Sequence, residues 1–138
     1  MPAVPARIVR LGSPRHASEG PRLGTVRRPP RGVSKAEFSS RNFYDVWLPG
    51  LAPTAELLKL AQQAVAAADE PGWAGFVRRF RSQMREPAAA QLLDALAALS
   101  HSGNFSLGCY CADAARCHRS VLRALLADRG AAIVDDSE

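Results

Sequence analysis

The sequence predicts a single α/β domain with a small, mostly parallel sheet flanked by helices. Three observations point there. "NFSLGCYC" (104–111) alternates as a strand should, with Phe105, Leu107, Cys109 and Cys111 on one face. A loop "ADAAR", a helix from about His118 to Asp128, Gly130 as its C′ residue and a closing strand "AAIV" follow, which completes a βαβ unit. Ahead of this unit lie three stretches of helical periodicity, and a strand-like run, "ARIVRL" (6–11), lies near the N-terminus.

In chain order, "GSP" stops that first strand, and residues 12–35 carry four glycines and four prolines with basic residues between them. This reads as one long loop, and such a loop inside a compact domain is more often functional or mobile than idle. "NFYDVWL" (42–48) reads as a second strand or an extended segment ended by Pro49 and Gly50. Thr54 is the expected N-cap of the first helix, with Leu57, Leu58, Ala61 and Val65 as its apolar stripe. The second helix carries Trp73, Phe76, Val77, Phe80 and Met84 on one side and Arg78, Arg79, Arg81 and Arg85 elsewhere. Pro87 suits the first turn of the third, which turns Leu92, Leu93, Leu96 and Leu99 to the core.

A chain of 138 residues suits one domain over 1–138, with its core at about 6–135. Three cysteines within nine residues of one another do not resemble a secreted disulfide framework. No apolar run approaches the ~20 residues of a membrane span. Pro2, Pro5 and Pro14 spoil an N-terminal targeting helix, so a reducing, cytoplasmic setting is expected, with no membrane partner. The net charge of +5 is uneven: residues 1–41 carry +7 and the remainder −2. Such asymmetry fits a phosphate-rich partner, or a compositional bias toward arginine.

The chemistry concentrates in "GCYCADAARCHRSVLRALL" (108–126). His118 and Arg119 open a helix, with Arg116 close by, although cations there oppose the macrodipole at about 0.3–1 kcal/mol each. A bound anion would reverse that sign, because the free N–H groups and the guanidinium would both point at it. The competing view is that Asp113 neutralises Arg116 or Arg119 and nothing binds. Cys117 at the helix start is placed for a lowered thiol pKa, yet neither the phosphatase spacing of cysteine and arginine nor Cys-x-x-Cys is present. A metal reading has four candidate ligands, Cys109, Cys111, Cys117 and His118. Their spacing departs from the usual C-x₂₋₄-C, and His118 shares a stripe with Leu122 and Leu125, so no metal and no cofactor are expected.

A second constellation is "RRPPRGVSK" (27–35), where Gly32 and the prolines would let Arg27, Arg28, Arg31 and Lys35 converge on a phosphate. Together with "DVWLPGLAPTAEL", "FVRRFRSQM" and "CYCADAARCHRSVL", it resembles the bacterial family known as domain of unknown function 488, which includes YeaO-like proteins, over about residues 6 to 130. The matching positions are Arg27, Pro30, Arg31, Gly32 and Lys35; Trp47; Leu51, Ala52, Pro53 and Thr54; and Cys117, His118 and Arg119. Arg28 and Pro29 stand where the family often has Leu-Trp, and Thr54 where serine is commoner. The resemblance implies a compact α/β domain and a site shared by the basic loop and the Cys-His-Arg loop, without implying a reaction.

The expectation is therefore a pocket for a phosphate-bearing or other anionic small molecule, held by Arg27, Arg31, Lys35 and Arg119. Cys117 would be its nucleophile or a loop-shaping thiol, and His118 its general acid or base. The alternatives are a nucleic-acid-associated protein using the basic N-terminal third, where aromatic residues are scarce, and a redox or stress accessory factor using the thiols.

Overall fold

The computed structural model describes residues 5–111 and 113–134; Pro2, Ala112 of the Cys-His-Arg loop and Asp135 at the expected core boundary lie outside the described residues. Four strands, β1 (Arg7–Arg10), β2 (Arg22–Gly24), β3 (Val46–Trp47) and β4 (Ser106–Cys109), form one sheet in the order β1-β4-β2-β3. Every pairing is parallel. Four helices accompany it: α1 (Ala55–Ala66), α2 (Glu70–Gln83), α3 (Pro87–Leu99) and α4 (His118–Asp128). The α/β class is as the sequence predicts.

The central strand β4 is buried at all four residues, as expected for a parallel strand covered on both faces. Phe105 and Leu107 enter the main core, while Cys109 enters a second cluster with Leu11, Val26, Tyr44 and Cys117. Ser106 donates its hydroxyl to Glu19 O at 3.0 Å, and Gly108 leaves the room that Leu11 fills. Cys111 lies beyond the strand and is exposed, so the shared face of Phe105, Leu107 and Cys109 does not extend to it.

The helices form for local reasons legible in their ends. Thr54 Oγ1 accepts from Leu57 N–H at 3.2 Å, Asp69 caps α2 through Gly72 N–H at 3.0 Å, and Pro87 opens α3. Trp73, Phe76 and Phe80 of α2 pack ring against ring, and the Phe80 edge meets His118 of α4 at 5.7 Å. Gly130, at φ +77°, ends α4 in the left-handed conformation expected of a C′ residue. "AAIV" contributes one parallel bridge, Ile133 to Ala6, with Ala6 N–H donating to Ala132 O at 2.9 Å and Val134 N–H to Ala6 O at 2.8 Å. It is a bridge rather than a full strand.

Two crossovers between parallel strands lack an α-helix, which is unusual. One guanidinium fastens both. Arg22 of β2 is fully buried and donates to Pro14 O at 3.1 Å in the β1–β2 connection and to Asn42 O at 2.6 Å in the β2–β3 connection. Its charge is met by Glu19, 2% exposed, through Nε and Nη2. Asp45 adds a second fastening, accepting from Arg22 N–H at 2.7 Å, from Arg15 at 2.9 and 3.1 Å, and from the Ser39 hydroxyl. The reading of 12–35 as loop throughout is corrected at Arg22–Gly24: three residues with a glycine carry no strand signal, and pairing with β4 supplies one.

Candidate functional site

Strand β1 along its length, the turn that follows it and the first turns of α4 enclose a cleft of about 680 Å³, in the range of small-molecule sites. Ile8, Val9 and Arg10 of β1 form one wall, Arg119, Ser120 and Arg123 of α4 another, and the turn from Ser13 to His16 closes the side. Among the described residues, six arginines line it with one carboxylate, Glu19, which is taken up by Arg22. Arg15 is held by Asp45. Among the described residues no carboxylate pairs with Arg10 or Arg119.

Arg119 is the unusual member. It is 4% exposed, and Nη1 donates to Val9 O at 2.9 Å. A guanidinium carries five N–H donors, so most of its capacity remains for a partner in the cleft. Burial pulls its pKa below the usual arginine value; the Cys111 thiol works the other way, while Arg10 adds to the lowering. The Asp113 side chain instead caps the turn Ala114–Arg116 through Ala115 N–H at 3.0 Å, and Arg116 pairs with Glu70 at 2.7 and 2.8 Å. Asp113 thus makes no ion pair with Arg116 or Arg119, although its charge partly opposes the lowering at Arg119.

The basic loop lies elsewhere. Arg27 Nε donates to Pro53 O at 2.8 Å, and Arg31 and Lys35 are exposed on either side of Gly32, whose φ is +72°. None of the three lines the cleft that Arg119 lines. Arg10, Arg123 and the Ser13–His16 turn take their place, and sequence reasoning missed them. The one signal available was "RIVR", two arginines bracketing an apolar pair on a strand that precedes a glycine turn.

Behind the cleft sits a tight sulfur and imidazole cluster. Cys117 does not belong to the helix but is its N-cap, extended at φ −136° and ψ 149°. That conformation swings its sulfur toward β4 and into disulfide contact with Cys109, with the Cα atoms 7.9 Å apart. His118 is buried at 6% exposure rather than half-buried as the stripe implied. Its Nε2 lies 2.5 Å from Thr25 O and 3.3 Å from the Thr25 hydroxyl. A carbonyl can only accept, so Nε2 carries the proton and Nδ1, 3.8 Å from Cys117 Sγ, is the bare lone pair. Burial pushes the His118 pKa down to about 4, the Thr25 carbonyl opposes this, and the Arg119 charge adds to it. The ring is therefore neutral at pH 7, with the Nδ1 lone pair free for a ligand. Neither Cys117 nor His118 lines the cleft. The third thiol, Cys111, is raised by the protein packed beneath it, with Arg119 and Arg10 partly offsetting this.

Among the described residues no helix is long and apolar enough to cross a membrane. No curated protein and no solved structure is similar enough to the chain to match it. A family model described as the active DUF488-N3 subclade matches residues 6–130, nearly the whole length and both of the segments that carry the basic loop and the Cys-His-Arg turn. The chain belongs to the DUF488 family.

Proposed function

We propose that the protein binds a phosphate-bearing or other small anionic molecule in the cleft between β1 and α4, in the cytoplasm. The observation that carries this is Arg119: a buried cation whose recorded hydrogen bond is to one backbone carbonyl, at the wall of a cleft rich in arginine. Arg119 serves as the planar clamp on the anion, and Arg10 assists it. Arg27, Arg31 and Lys35 form a separate basic rim rather than the primary contacts. Cys117 and His118 stand behind the clamp, where they shape it. The nucleic-acid alternative has less support, because Arg15, Arg22 and Arg27 of the basic third are engaged by Asp45, Glu19 and Pro53.

The test is calorimetric titration with phosphate, sulfate and a nucleoside phosphate panel, on wild type and three variants. A charge-assisted contact contributes about 1.5–3 kcal/mol, so Arg10→Ala and Arg119→Lys are each expected to weaken binding by roughly tenfold or more. Arg31→Ala with Lys35→Ala is expected to leave it within about threefold. Loss of binding in that double variant, with Arg10→Ala unaffected, moves the site to the loop and refutes the cleft.

A further inference from the structure

We infer that Cys109, Cys117 and His118 of the reduced protein form a site for a borderline-soft divalent metal ion of the zinc type, with one coordination position open. One ligand atom from each, two sulfurs and one ring nitrogen, all lie within 4.8 Å of one another, and all three residues are buried. The site is distinct from the arginine cleft and does not depend on what that cleft binds.

Two observations carry the assignment. The first is the imidazole. Metal-ligating histidines generally give their other N–H to a carbonyl or carboxylate, which fixes tautomer and ring orientation. His118 does this through Thr25 O, leaving Nδ1 turned to the sulfurs. The second is the backbone spacing. The two sulfurs are in disulfide contact, yet their Cα atoms stand 7.9 Å apart, outside the roughly 4.4–6.8 Å that disulfides span; once reduced, two thiolates sharing an ion relax that limit.

The charges balance. Each thiol releases a proton to solvent on binding, and two thiolates with a neutral imidazole cancel a divalent cation, as a buried site requires. Two cysteines and a histidine with a fourth position free is a donor set that zinc accepts in reactive sites. The linear spacing argument against metal fails because the pair is Cys109 with Cys117, joined through the extended N-cap, and not Cys109 with Cys111.

The experiment uses the full chain, reduced and freed of metal, then titrated with Co²⁺ and with Zn²⁺. One equivalent of Co²⁺ with a thiolate-to-cobalt charge-transfer band is expected, displaced by Zn²⁺. His118→Gln and Cys109→Ser are each expected to lose about a hundredfold or more in affinity, at or beyond the upper end of the roughly 10–100-fold typical of outer-shell changes, while Cys111→Ser retains it. Because buried substitutions can unfold the chain, wild type is also alkylated with and without zinc and read by mass spectrometry: zinc protects Cys109 and Cys117 but leaves Cys111 reactive. A reduced chain that takes up neither metal, or whose uptake requires Cys111, overturns the site, as does equal labelling of all three thiols with zinc present.

Discussion

Glu19 and Arg22 are charges removed from water together, so each depends on the other for its place in the fold. Burial alone would raise the Glu19 carboxyl, but its hydrogen bonds from Arg22 and His16 N–H, with the Arg22 charge, bring it below the ordinary glutamate value. A carboxyl lowered in the folded state stabilises the protein above its ordinary pKa, and that contribution is lost as pH falls through the lowered value. Glu19→Gln leaves a buried guanidinium uncompensated and is expected to cost ~3–5 kcal/mol near neutrality. The deficit should shrink as pH falls from neutrality through and below the ordinary glutamate range, where wild type comes to lose its carboxylate too. Urea denaturation across that range checks it; a cost independent of pH would mean that the pair contributes through shape and not charge.

At the scale of elements, helix ends are the part of this fold written most plainly in the chain. Thr54, Pro87 and Gly130 act where their chemistry places them, because capping is local and needs no distant partner. Thr54→Ala should therefore cost about 1 kcal/mol, visible as a lowered melting temperature without altered ligand or metal binding. Strand β2 was not legible in the same way, and β3 only as part of the longer strand or extended run read at 42–48. Each has three residues or fewer, and their pairing comes from β4 and from one another across dozens of intervening residues. The site divides along the same line. Arg119 follows from its position at the first turn of α4, and its family match at Cys117, His118 and Arg119 falls within the matched segment. Arg10 as its companion, and Cys109 as the companion of Cys117, depend on β1 lying beside β4 and on one extended cap residue. No spacing in a linear chain encodes either.

For the molecule as a whole, the sheet and the helices are joined through Phe80, which is fully buried, stacks on Phe76 and touches His118. Phe80→Ala should cost ~3–5 kcal/mol and also loosen the imbedded ring of α4, so cobalt affinity should fall along with stability. Leu99→Ala, at 55% exposure, is its control and should change both little. A destabilised Phe80→Ala that keeps full cobalt affinity would show that the His118 position is set by Thr25 alone. The Arg22 contacts have a wider result. Both helix-less connections close on the Arg22 guanidinium and, through Arg15 and Ser39, on the Asp45 carboxylate, so each is latched to the other: when these contacts let go, the segments around Pro14 and Asn42 are released together. Amide hydrogen exchange should accordingly reveal residues 13–45 opening as one cooperative unit with a shared free energy, instead of two loops fraying on separate schedules.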